Sequence, residues 1–245
     1  ITKFSLRADY PIAVEFSGND LGLVAINSKS DVILNGTISN RSGSTTITAG
    51  VAPGMAKAGQ SVLQGSEEAL VTGASLMLSA SQGVGTTGTN ATPVNIDLNG
   101  GTLNAAVLNG NLALRQANGD LVIGTVLAGG DANAGLGQVL LAADGNLLMG
   151  GPLSSVTGNR IELVSDNGAI GTLADPIRLN AGFADVLTQR SGYGVKASAR
   201  GDIFLDSQAW AGNTEGDLLV SSIVSATGHV QVRTPGRIID NNPFE

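Results

Sequence analysis

The chain has 245 residues, 42% of them hydrophobic but only 13% charged and 3% aromatic. Its net charge of −7 argues against the basic stripe that nucleic acid requires and against an anionic membrane surface. The aliphatic content excludes disorder, the 35 glycines lack the three-residue period of collagen, and no run of 18 apolar residues exists to form a membrane-crossing helix.

The opening stretch ITKFSLRADY has no charged n-region followed by an apolar h-region, so it is not a signal peptide. It also begins without Met, and the chain is read as a fragment of something longer. The absence of cysteine leaves the compartment open.

Val32-Ile33-Leu34 is the first run that places two aliphatics on one face of a strand. The one helical candidate follows, Ala56–Thr72, and its two internal glycines each cost about 1 kcal/mol relative to Ala. From there the pattern is short alternation: Leu112-Ala113-Leu114, Ile161-Glu162-Leu163, Ile203-Phe204-Leu205 and Val230-Gln231-Val232. A glycine and a small polar residue open most of these runs, as in Gly110-Asn111, Gly119-Asp120, Gly145-Asn146, Gly201-Asp202, Gly216-Asp217 and Gly228-His229, with Gly137-Gln138 a looser example. Such pairs read as corners. Glycine reaches backbone angles closed to other residues, and Asn or Asp bonds the local backbone through its side chain.

A longer echo lies above the corners. GVGTTGTNATPVNIDL (Gly83–Leu98) is restated as GAIGTLADPIRLN (Gly168–Asn180), and flanking matches keep a spacing of 79 to 86 residues. Two tandem repeats of about 85 residues follow, approximately 73–157 and 158–242, in a single elongated unit spanning 1–245. Short strands, Gly-Asx corners, aliphatic ladders and few aromatics predict an all-β fold, a right-handed parallel β-helix solenoid in which each coil packs on its neighbours. At roughly 20 residues per coil the chain makes about a dozen coils and a rod near 55 Å long.

GAIGTLADPIRLN, ARGDIFLDS, GDLLVSSIVSATGHVQV, GRIIDNN and the N-terminal INSKSDVILNGTISNRSGSTTITAG resemble coils of large bacterial exoproteins of the filamentous haemagglutinin type, over about Leu21 to Asn242. That resemblance implies a secreted, cell-surface adhesin or biofilm-matrix protein, exported by two-partner secretion through an outer-membrane transporter partner, or the stalk of a toxin-delivery exoprotein. The secretion domain of such proteins is not recognisable here, which implies a mid-stalk segment.

Candidate sites are few. Arg200-Gly201-Asp202 is the tripeptide that some integrins read on a protruding loop, but Gly-Asp before a strand is also this chain's corner pattern. Trp210, the single Trp, lies in a polar stretch, and Phe183, Tyr193, Phe204 and Trp210 are four of eight aromatic residues. A ring flanked by Tyr193 and polar groups suits stacking on a sugar, so glycan or extracellular polysaccharide is the expected partner. Gly129-Gly130-Asp131-Ala132-Asn133 is a lone, poor match to a calcium repeat. His229, the only histidine, fills a corner slot, and sites built on several His or Cys are excluded. No metal, cofactor or catalytic residue is expected. The rival reading, a polysaccharide-active β-helix enzyme, needs clustered acids, or acids with Lys or Arg, on one face of neighbouring coils, and the charges are scattered in sequence.

Overall fold

A computed structural model describes residues 14–15, 22–50, 60–129, 137–184 and 192–242. The fold is an all-β parallel β-helix. The chain lays strands alternately on two ladders, and all the pairings between strands are parallel. Ladder A includes Asn111–Gln116, Gln138–Ala143, Arg160–Ser165, Gly194–Ala199 and Leu218–Ser225, each paired with the next. Ladder B includes Thr102–Val107, Leu121–Ala128, Leu147–Met149 with Ser155–Gly158, Ile177–Ala181, Ile203–Ser207 and Val230–Arg233.

Along ladder A, Val14, Ile38, Val71, Ile96, Gln116, Ala143, Ser165, Ala199 and Ser225 occupy successive register positions, and Ile238–Asp240 pairs beyond Leu218–Ser225, giving ten levels among the described residues. The steps between them run from 20 to 34 residues. A coil is therefore longer than the roughly 20 residues expected from sequence, and the described levels stack over about 40 Å at the inter-strand spacing, against the 55 Å expected for the chain. The extra residues sit in loops that leave a strand and return to it, and such excursions carry no periodic signal.

The core is built from columns. Val62, Val84, Leu112, Val139, Ile161 and Val195 stack through ladder A, and Leu121, Leu147, Ile170 and Ile203 through ladder B, all buried. Alternation in each strand turns one aliphatic set inward, worth about 1.5–3 kcal/mol per fully buried side chain. In the last described coil inward-facing positions of both ladders are open. Val230 is 48% and Ile238 56% exposed, although their register partners Ile203 and Leu218 are fully buried.

The helical expectation for Ala56–Thr72 is overturned. Residues 56–59 lie outside the described residues. Ser61–Gln64 is a strand, Glu67 and Glu68 form a turn, and the next strand begins at Leu70. Val62 and Val71 each supply a core column, so the spacing that mimicked a helical face is two strand fragments separated by a turn.

The echoed stretches share one turn. Gly85 and Gly171 have φ of +60° and +68°. Val62 O accepts from Gly85 N–H and Leu147 O from Gly171 N–H, both at 2.8 Å. Thr86 Oγ1 then accepts from Thr92 N–H and Thr172 Oγ1 from Asp175 N–H, before Pro93 and Pro176 lead into the returning strands. A Cβ at either glycine would lie 2.6 Å from a carbonyl oxygen of the next coil, that of Ala113 or Phe204. The two turns stand on different ladders, the first on A and the second on B.

Candidate functional site

Three surface features hold the chemistry of this rod: the corner from ladder A to ladder B, the opposite corner around Trp210, and a groove on the outer face of ladder A.

At the first corner backbone bonds between coils continue, as from Gly145 N–H to Gly119 O and Gly201 N–H to Gly168 O, and side chains take up the N–H of the residue that follows each of these glycines or its equivalent. Asp120 Oδ1 accepts from Asn146 N–H at 2.7 Å, Asn146 Oδ1 from Ala169 N–H at 2.7 Å, and Asp202 Oδ1 from His229 N–H at 2.6 Å. At the other corner Asp31 does the same for Ser61, Asn111 for Gln138 and Asp217 for Arg237. Each Asx thus accepts from the equivalent residue one coil further on. The preceding glycine has a second cause besides the turn. A Cβ on Gly145 would lie 2.6 Å from Gly119 C and closer still to Asp120 Oδ1, and one on Gly228 would lie 2.5 Å from both Gly201 C and Asp202 Oδ1. The Gly-Asx pattern is therefore a two-coil unit, in which the Asx of one coil fills the space that a side chain on the next coil's glycine would need. Gly168-Ala169 belongs to the same column and escapes the sequence pattern, because its partner Asn146 supplies the side chain.

Arg200-Gly201-Asp202 sits in this column. Gly201 N–H donates to Gly168 O, Ser225 Oγ to Gly201 O, and Thr227 N–H and Oγ1 to Arg200 O. Ala199-Arg200-Gly201-Asp202 has the form of Ala143-Asp144-Gly145-Asn146 two coils earlier, with Arg200 at the exposed position of that short turn. The corner does not supply the protruding loop and free Asp that integrin recognition needs. His229 fills the equivalent slot one coil on.

The expected aromatic group is divided. Phe204 faces outward on ladder B, whereas Phe183, Tyr193 and Trp210 lie at the turns from ladder B to ladder A. Trp210 is half-buried. Its indole N–H donates to Ala181 O at 3.0 Å and its ring lies over Gly212. Buried Asn213 donates to Ala181 O and Asp217 O. The guanidinium of Arg237 stands 5.8 Å from the Phe183 ring centroid and pairs with Asp217 at 2.6 Å. Asp217 is 3% exposed, and its bonds with the Arg237 side chain and backbone hold its carboxyl below the usual carboxylate range. Tyr193 O accepts from Asn241 Nδ2 at 3.0 Å. The proposed calcium match lies mostly outside the described residues, at 130–136. Among the described residues no three His, Cys, Asp or Glu side chains converge to hold a metal.

The groove was not legible in the sequence. The loop 85–93 leaves ladder A, passes over the coil that begins at Asn111, and reaches the one beyond, where Thr87 Oγ1 meets Gln138 Oε1 at 3.3 Å. It overhangs a cavity of about 320 Å³ lined by Thr87, Thr89, Gln138, Arg160, Glu162 and Lys196 among others. Register explains the meeting. Gln138 and Arg160 are adjacent in one outward column, and Leu140, Glu162 and Lys196 in the next. Lys196 Nζ and Glu162 Oε1 pair at 2.7 Å. Charges scattered over 37 residues of sequence thus share one face, with one carboxylate among the described residues, held by its lysine, where glycoside hydrolysis uses a pair. The signal was the coil register, which no local motif reveals. In comparisons with protein-family models, curated proteins and solved structures, the chain finds no match.

Proposed function

We propose that this chain is a structural and adhesive rod segment of a secreted bacterial adhesin of the filamentous haemagglutinin type, attaching to extracellular polysaccharide or a cell surface. The observation that carries this reading is the unbroken parallel stack, in which corner side chains are used to bond coil to coil. Such a stack fixes a distance and repeats its outer surface along it, which suits weak contacts made many times. The parent protein would reach the surface through its outer-membrane transporter partner.

The test is a glycan-array and cell-binding screen of the purified chain, read beside a turnover assay on the same polysaccharides. Retention on glycans or cells without product release is the expected result. Release of shortened or unsaturated sugars would replace the adhesive reading with the enzymatic one. Absence of all retention would leave a stalk with no binding role of its own.

A further inference from the structure

We propose that the groove over ladder A binds a saccharide segment bearing a carboxylate, with Arg160 as the residue that reads the acid. This inference rests on the adhesive reading and names the ligand class and the site.

Arg160 is the first point. It opens the strand Arg160–Ser165, lines the groove, and makes no ion pair or side-chain hydrogen bond among the described residues. The other groove charges are satisfied by each other, Lys196 with Glu162. In the register position beyond Arg160 stands Gly194, which contributes no side chain to cover it. A half-buried guanidinium on a β-sheet face offers a planar fork of N–H donors that matches a carboxylate two bonds at a time.

The second point is charge. The chain carries 20 acidic and 13 basic side chains, yet the described residues lining the groove hold two cations against one anion. The concavity beside Arg200 and Asp202 and the one beside Glu215, Asp217 and Arg237 have no such excess.

The third point separates acidic from neutral sugars. Among the described residues no aromatic ring lines the groove, so they offer no stacking platform of the kind neutral sugar rings use. What lines it is hydrogen-bonding: the Arg160 fork, the remaining Lys196 protons, the hydroxyls of Thr87 and Thr89, and the Gln138 amide. Its volume lies at the low end for small-ligand sites. It suits one or two sugar units of a longer chain, with strength coming from many rods on one polymer.

Sulfated sugars present similar anionic oxygens, so the experiment has separate arms. Oligogalacturonate, dextran sulfate and neutral dextran are titrated calorimetrically into the wild-type chain and into Arg160→Ala, Arg160→Lys and Arg200→Ala, with thermal melts confirming that each variant is folded. The expected result is oligogalacturonate binding about tenfold or more tighter than dextran. That binding falls about tenfold in Arg160→Ala, is partly kept in Arg160→Lys, and is unchanged in Arg200→Ala. Oligogalacturonate binding that survives Arg160→Ala, or that only matches dextran, overturns the site and leaves the adhesive reading standing. Dextran sulfate bound through Arg160 with oligogalacturonate ignored overturns the carboxylate assignment. Failure of the wild type to bind any of the three overturns this inference. The adhesive reading falls with it only if the wider glycan and cell screen is also empty.

Discussion

Arg200 and Arg160 both stand on the surface of the same solenoid, one at a corner and one in a groove, and their surroundings differ in one respect. Around Arg200 the polar groups are engaged. Asp202 caps His229, Ser225 and Thr227 bond the carbonyls of Gly201 and Arg200, and Gly201 N–H reaches Gly168 O. Around Arg160 the neighbours pair as well, Thr87 with Gln138 and Lys196 with Glu162, and neither guanidinium has a partner among the described residues; what sets Arg160 apart is a concavity whose described charges leave one cation over, whereas Arg200 stands beside Asp202. A polar motif at a corner of a β-helix is therefore read first as coil-to-coil bonding, and a charge left over on a flat face as a candidate for recognition.

The sharpest break of that comparison is at a corner glycine. Gly145→Val would drive a branched side chain into Asp120 Oδ1 and the Gly119 backbone, neither of which can withdraw without unstacking the coil. The expected cost is about 3 kcal/mol, seen as a lower denaturation midpoint. A midpoint equal to wild type would show that the corners tolerate side chains and that the two-coil unit is wrong.

Asp217 comes next. Its carboxylate accepts from Arg237 N–H at 2.7 Å, Nε at 3.0 Å and Nη2 at 2.6 Å. Asp217→Ala strands the backbone N–H and is expected to cost about 2 kcal/mol at neutral pH. The sign of the pH effect follows from linkage. The folded-state pKa is lowered, so the unfolded chain takes up the proton first. Stability from this group is complete above the unfolded-state value near pH 4 and drains away as pH falls through the folded one. Melts between pH 7 and pH 2 should therefore show wild type losing its advantage over Asp217→Ala in acid. Parallel curves for the two proteins would refute the linkage.

How far this was legible in sequence depends on the range of the interaction. The fold class was legible, because alternation and glycine corners are local: Val139 and Leu141 face inward wherever their strand pairs. Corner identity was also legible, including His229. Coil length was not, since loops such as 85–93 and 171–176 insert residues at one position in a strand without changing its register partners. The false helix at Ala56–Thr72 has the same origin. The groove was illegible for a further reason. Arg160 and Lys196 are 36 positions apart, and only the coil containing the 182–193 connection determines that they end in neighbouring columns. Their scatter along the sequence was read against a cluster of catalytic acids, and register brings them to one face with Glu162 as the carboxylate among the described lining residues.

A smaller test separates geometry from charge at the Arg200 corner. Asp202→Asn keeps an oxygen that can accept from His229 N–H, whereas Asp202→Ala leaves that N–H without its partner. The expected cost is about 1 kcal/mol for Ala and near zero for Asn. Asn146 occupies the same column and serves Ala169 with an amide oxygen, so the corner already works without a charge. Equal loss in both variants, with a matching loss of cell binding, would return the tripeptide to a recognition role.

The smallest expected effect on stability is at Arg160, and its smallness is informative. A side chain that bonds nothing among the described residues has little to lose, so Arg160→Ala should melt within about 0.5 kcal/mol of wild type. Lys196→Ala differs, because it leaves Glu162 without its 2.7 Å partner on a half-covered face. Its expected cost is still below about 1 kcal/mol, since the lysine is 44% exposed and solvent screens the pair. Measured by chemical denaturation, the order should run Gly145→Val, Asp217→Ala, Asp202→Ala, Lys196→Ala, Arg160→Ala. An Arg160→Ala loss as large as that of Asp202→Ala would mean that the guanidinium is already holding the coils together, and the contrast between corner and groove would collapse.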